Sequence, residues 1–145
     1  MAVRQINQRG LDLIKEFEGL RLEACRCPGA WWIIGYGHTA NVRPGDVITE
    51  KQAEDVLRTD LEPCAFDVEE LVKVPLTDDQ FAALVSFTFN RGYGALKYSS
   101  LLRRLNACDY GAVPRELQRW SNHKTRVGLV HRRQAEAALW LSAKP

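Results

Sequence analysis

Glu16-Phe17-Glu18-Gly19-Leu20-Arg21, running on to Ile34-Gly35-Tyr36-Gly37-His38-Thr39, is the stretch from which the rest of the chain is read. Leu11 and Ile14 set one face of a predicted helix, and Glu18, seven residues after Leu11, falls on that same face. Gly19 is the stop signal that follows. Glu18 is therefore expected as a carboxyl group on an apolar stripe at a helix C-terminus. Desolvation and the negative end of the helix dipole both favour its protonated form there, which is what a general acid requires. The competing expectation is an ordinary solvated residue in a last helical turn.

Outward from this stretch, Asn7 is placed to cap the helix. Leu20-Arg21-Leu22-Glu23-Ala24 alternates apolar and polar residues as a strand does, and Trp31 to Ile34 reads as its return partner. Pro28-Gly29 supplies the turn, and it suits a type II turn better than the primed hairpin types. Trp31 and Trp32 are adjacent on a strand, so they face opposite sides. Gly35 and Gly37 flank Tyr36, where the backbone must bend or pass close to another group. Residues 41–48 read as loop around Pro44-Gly45.

Helical signals dominate the remainder. Thr49-Glu50-Lys51-Gln52 is a capping box that opens a pattern with Ala53, Val56, Leu57 and Leu61 inward, and Pro63 is expected to kink or divide it. Thr77-Asp78-Asp79-Gln80 is a second box, before the most apolar helix, and residues 90–94 end that helix. Shorter helices are expected over 99–105, 110–120 and 130–141. The predicted class is α+β: a small N-terminal lobe with a β-hairpin (about 1–60), a connecting helix, and a mostly helical C-terminal lobe (about 61–145). A ligand cleft is expected between the lobes.

Composition is that of an ordinary globular domain: 145 residues, 46% hydrophobic and 26% charged, with a net charge of only +2. The charge is uneven, because Arg103, Arg104, Arg115, Arg119, Arg126, Arg132 and Arg133 all lie in the last third. That bias suits an anionic polymer, although each arginine could equally sit on a solvated helix face. Cys25, Cys27, Cys64 and Cys108 lack zinc-site spacing and read as thiols, with no disulfide pairing deducible. The first fourteen residues hold no apolar run of signal-peptide, signal-anchor or membrane-span length.

Glu18-Gly19-Leu20-Arg21-Leu22, the tryptophan-bearing strand and Ile34-Gly35-Tyr36-Gly37-His38-Thr39 resemble the phage-type lysozymes, the muramidases of tailed-phage endolysins. The resemblance continues in order through Thr59-Asp60-Leu61, Val74-Pro75-Leu76-Thr77, Ser86-Phe87-Thr88-Phe89-Asn90, residues 101–106, Arg119-Trp120 and Gly128-Leu129-Val130-His131-Arg132-Arg133. It implies a lysozyme-like fold that hydrolyses the β-1,4 bond between N-acetylmuramic acid and N-acetylglucosamine in peptidoglycan, with no metal and no cofactor. It also implies a monomer that binds no nucleic acid, inserts in no membrane, and waits in the host cytoplasm until released to the wall.

The family's catalytic pattern is a Glu, eight residues, an Asp or sometimes Cys, five residues, and a Thr. Here those positions fall on Glu18, Cys27 and Ile33. In the family mechanism the Glu protonates the leaving oxygen, and the other two place the attacking water. Ile33 has no hydroxyl, and the negative charge of Glu18 opposes a thiolate at Cys27. By matching position, Phe89 and Asn90 are expected to line the sugar cleft, with Phe89 equally readable as core. His38 and Asp60 are expected to form an ion pair, and Arg133 to pair with the catalytic Glu, with Arg132 able to replace it. Trp120 is expected in the core. The alternative functional class is a catalytically weakened glycan-binding module, favoured by Cys27 and Ile33. A nucleic-acid binder has only the arginines behind it and no recognition signature.

Overall fold

The computed structural model describes residues 3–26, 31–121 and 127–142, the side chain of Val127 excepted. Helix α1 spans Gln8–Glu18, strands β1 (Arg21–Arg26) and β2 (Trp32–Gly35) form an antiparallel hairpin, and α2 runs Glu50–Leu71. Then come α3 (Asp78–Arg91), α4 (Tyr93–Lys97), α5 (Ser100–Asn106), a 3₁₀ turn (Tyr110–Ala112), α6 (Val113–Gln118) and α7 (Val127–Leu141). The α+β class with one hairpin and mostly helical content is as the sequence implies. None of the described helices is long and apolar enough to cross a membrane.

Backbone contacts divide the chain into two compact units: Lys15–Glu62, here the hairpin unit, and Met1–Ile14 with Pro63–Pro145, the helical unit. The sequence placed residues 1–14 in the N-terminal lobe. Side-chain ties explain why they group with the helical unit instead. Asn7 Nδ2 donates to Asp79 Oδ1 at 2.8 Å, and Arg9 and Arg4 pair with Asp79 and Asp78 at 2.8 and 2.9 Å. Arg4 also stacks 4.5 Å over the Phe81 ring. Gly10 in α1 permits this approach: a Cβ there would lie 2.5 Å from that of Ala82.

The hairpin unit is built as its turns dictate. Arg21 pairs with Gly35, Cys25 with Ile33 and Arg26 with Trp32, with an irregularity between Arg21 and Cys25. The expected Pro28-Gly29 turn lies outside the described residues. Of the two tryptophans, Trp31 is exposed and Trp32 half-buried. Residues 46–48, expected as plain loop, pair with β1: Ala24 N donates to Asp46 O and Ile48 N to Leu22 O, at 2.8 and 2.9 Å. Gly45 at φ +87° and the bond from Arg43 N to Asp46 Oδ2 turn the chain so that β-branched Val47 and Ile48 reach the strand.

Both capping boxes form. Thr49 and Gln52 exchange backbone-to-side-chain bonds of 2.8 and 3.1 Å, and Thr77 and Gln80 do so at 3.0 and 3.1 Å. Pro63 does not divide α2, which is unbroken for 22 residues. A proline removes one N–H donor from the ladder, and buried residues on either side (Leu57 and Leu61, then Ala65 and Val68) hold the helix through that loss. In the helical unit every residue of α3 from Phe81 to Thr88 is buried, so this helix forms the unit's centre.

Candidate active site

Glu18 is the last residue of α1 and is half-buried. Gly19, at φ +74°, ends the helix after it, with its N–H bonded to Lys15 O at 3.0 Å. The Gly-Tyr-Gly turn then closes tightly. Ile34 and His38 exchange both backbone hydrogen bonds at 2.9 Å, with Gly35 at φ +64° and Gly37 at φ +81°. A Cβ built on Gly37 would stand 3.0 Å from Glu18 Oε1. The two glycines therefore do both things expected of them: they bend the chain and let backbone approach a carboxyl group. Gly35 fits against Ala53 and Ile48, each 3.4 Å from where its Cβ would be.

His38 Nδ1 lies 2.7 Å from Asp60 Oδ2, and both side chains are about a quarter exposed (21% and 27%). This pair ties the end of the Gly-Tyr-Gly turn to α2 within the hairpin unit. A second tie is the ion pair of Lys15 with Glu54. The hydrogen bond from Lys15 holds the Glu54 carboxyl below the usual carboxylate range, with Arg58 adding to the effect. Lys15 also lies 5.6 Å over the Tyr36 ring, next to the turn. Ile33 is half-buried on β2, opposite Cys25, and brings only methyl groups. Cys27 lies outside the described residues.

The helical unit places the other expected residues. Phe89 and Asn90 are half-buried near the end of α3, and Asn90 Oδ1 is buried with no hydrogen-bond partner among the described residues. Arg133 is fully buried; its Nε is 2.7 Å from Glu136 Oε1, and its guanidinium packs 5.1 Å from the Phe87 ring centre. Glu136 is fully buried as well, accepts a 2.5 Å bond from the Ser86 hydroxyl and pairs with Arg132 at 3.5 Å. Burial pushes the Glu136 carboxyl up, against the pull of Arg133, Ser86 and Arg132. Burial pushes Arg133 down, against Glu136. Neither Glu136 nor Ser86 was singled out from sequence. The i, i+3 spacing of Arg133 and Glu136 on a helix was the available signal. Trp120, expected in the core, is half-buried: its ring meets Phe87 edge-on at 5.5 Å, and Arg91 lies 5.3 Å over it.

The chain is similar in sequence and fold to known proteins. The sequence profile of the family described as Phage lysozyme matches residues 15–136. The endolysin of Acyrthosiphon pisum secondary endosymbiont phage 1 is 45% identical over 144 residues, covering 95% of this chain and 99% of its own. The chain belongs to the phage lysozyme family. As a phage lysozyme it is an enzyme of the glycoside hydrolase class. The endolysin of Bacillus phage PZA is 46% identical to it over 97% of the chain, but the lysozyme spans only 57% of that relative's length. Among solved structures, the muramidase domain of SpmX from Asticaccaulis excentricus superposes with a TM-score of 0.88 at 40% identity, covering 95% of this chain and 98% of that one.

Proposed function

We propose that this phage lysozyme hydrolyses the β-1,4 bond between N-acetylmuramic acid and N-acetylglucosamine in bacterial peptidoglycan, with Glu18 as the general acid. The observation that carries the proposal is the setting of Glu18: a half-buried carboxyl ending α1, approached by the backbone of Gly37. Glu18 gives its proton to the glycosidic oxygen as the bond to the anomeric carbon breaks. Water adds to that carbon, and its proton leaves to a base. Alcohol leaving groups of sugars are poor, so the acid step is the indispensable one. The His38–Asp60 pair and the positive-φ glycines fix the turn against which Glu18 is held. By the family resemblance Phe89 and Asn90 contact sugar and Arg133 supports the acid. Asn90 Oδ1, buried with no hydrogen-bond partner among the described residues, supports a role as a sugar hydroxyl acceptor. The enzyme acts as a monomer on peptidoglycan, reaching it from the host cytoplasm without entering the membrane.

A second reading is favoured by one observation: Ile33, at the Thr position of the pattern, is half-buried and carries no hydroxyl. With Cys27 at the Asp position, the chain would then hold glycan more than it cuts it. Digestion of purified peptidoglycan separates the two. New reducing ends borne on N-acetylmuramic acid are expected. Sedimentation with the wall and no new reducing ends would favour the binding module.

A further inference from the structure

Lys15 reaches both sides of the close approach between Glu18 and Gly37, and all three residues lie within the hairpin unit. Through its backbone it holds the Glu18 side. Its carbonyl accepts the Gly19 N–H at 3.0 Å, the bond that closes the last turn of α1 around Glu18. Through its side chain it holds the other side. Its Nζ lies 5.6 Å from the ring centre of Tyr36, the middle residue of the Gly-Tyr-Gly turn. Tyr36 is buried and the Lys15 side chain is only 21% exposed, so water competes little for the cation at the ring.

The ammonium is itself fixed. It donates to Glu54 Oε1 on α2, and that hydrogen bond is the largest of the effects holding the Glu54 carboxyl below its ordinary range. Arg58 Nε stands 3.5 Å from the other oxygen of Glu54, so the carboxylate is anchored along α2 as well. The Gly-Tyr-Gly turn is thus tied to α2 twice: at its end by His38 and Asp60, and at its centre through Tyr36, Lys15 and Glu54. Of these two ties, the second runs through α1, the helix that carries Glu18. The spacing leaves little slack, because Glu18 Oε1 stands 3.0 Å from where a Cβ on Gly37 would be. A small shift of the turn against α1 therefore changes the room and direction left to the carboxyl group.

We infer that Lys15 is a positioning residue for the hydrolysis: its ammonium, held by Glu54 and seated over Tyr36, sets where the Glu18 carboxyl stands against the turn. The inference rests on Glu18 being the general acid. Proton transfer to a glycosidic oxygen demands a heavy-atom separation of about 2.6–3.2 Å, so the aim of the carboxyl decides the rate. Lys15 acts through Glu18 and not on the sugar. Its loss should slow the chemical step and leave substrate binding in place.

The test is steady-state hydrolysis of soluble, uncrosslinked peptidoglycan strands by the full chain, with rates corrected for folded fraction. Lys15→Met keeps the length of the side chain and removes its charge, while Glu54 keeps Arg58 as a partner. Its kcat should fall about tenfold, as a misaimed acid costs, with KM within about twofold of the parent. Lys15→Arg keeps a cation for Glu54 and for the ring, and should bring kcat to within about threefold of the parent. Glu54→Ala should lower kcat in the same way. Combined with Lys15→Met it should lower kcat no further, because the two act through one pair. Lys51→Met removes an exposed cation paired with Asp55 on α2 and should leave kcat unchanged. The inference is overturned if folded Lys15→Met keeps the parent kcat, if its loss lies in KM, if Lys15→Arg is as slow, or if Lys51→Met is equally slow. If Lys15→Met does not fold, Glu54→Ala decides, and the parent kcat there overturns the inference. Glu18→Gln is assayed alongside. If it is inactive while Lys15→Met is fully active, only the role of Lys15 falls; if it is active, the acid assignment falls and this inference with it.

Discussion

Gly37 and Glu18 are bound together by geometry: the glycine has φ +81°, and any side chain on it would begin 3.0 Å from Glu18 Oε1. Two separable effects follow for Gly37→Ala. The left-handed backbone should cost roughly 1–2 kcal/mol of stability. The new methyl should also displace the Glu18 carboxyl, which is the movable end of its side chain. Gly45 is the control, because it has φ +87° and, among the described residues, nothing within 4 Å of its would-be Cβ. Thermal melts should show similar losses for Gly37→Ala and Gly45→Ala, while lysis rates corrected for folded fraction should fall only for Gly37→Ala.

Glu136 pairs with two buried arginines, Arg132 at 3.5 Å and Arg133 at 2.7 Å, and Arg133 is fully buried beside it. Glu136→Ala leaves that charge unpaired and should destabilise the protein by roughly 3–5 kcal/mol. Replacing Arg133 and Glu136 together by Met and Leu should recover part of the loss, since the Arg133 charge goes with its partner while buried Arg132 still loses Glu136. Chemical denaturation of the parent, the single and the double mutant gives the comparison. A double mutant as unstable as the single would mean the pair is not the source of the cost.

Asp79 ties the N-terminal segment to the start of α3. Burial works against its charge, but Asn7, the Ser142 hydroxyl and Arg9 outweigh burial and hold the carboxyl below its ordinary range. A carboxyl depressed in the folded state contributes stability that is present above its unfolded value, about 3.9, and is lost as pH falls through the lower folded value. Asp79→Asn should therefore cost roughly 1–2 kcal/mol at neutral pH. Its deficit against the parent should shrink in acid, below about pH 3.9. A deficit that stays constant from pH 7 to the acid limit would show that charge at Asp79 is not what matters.

These relationships were legible to different degrees. Asn7, Thr49 and Thr77 announce helix starts because caps act over three residues, and all three bonds are present. The bend at Gly35-Tyr36-Gly37 was legible for the same local reason. The pairing of residues 46–48 with β1 was not, since it joins segments some twenty residues apart. Helix α4 also escaped notice: it has five residues, one of them glycine, and no side-chain cap. Pro63 misled, because a proline's local cost was outweighed by burial along the rest of α2. Within the site, His38 and Asp60 meet as the family resemblance implied. Glu136 was missed, because a glutamate on a polar-looking helix face gives no sign that Ser86, fifty residues earlier, lies against it.

The departures at Cys27 and Ile33 should be reversible. Cys27→Asp supplies an acceptor that is ionised near neutral pH, and Ile33→Thr keeps the β-branched shape that β2 accommodates while adding a hydroxyl. Orienting a water takes more than one group, so the double variant should gain more in lysis rate than the product of the singles. The Thr hydroxyl could cost roughly 1–3 kcal/mol if it stays dry. Initial rates at one pH, alongside melting curves, decide the matter. A folded double variant no faster than the parent would remove these positions from water placement.

The most direct test of the account is Glu18→Gln, which keeps the shape of the side chain and removes the carboxylic proton. Initial rates of peptidoglycan hydrolysis should fall by at least a hundredfold, on the order expected for loss of a general acid. The melting temperature should be unchanged or higher, because strain held for function is relieved. A folded Glu18→Gln protein that hydrolyses peptidoglycan at more than about a tenth of the parent rate would contradict the assignment of Glu18 as the acid.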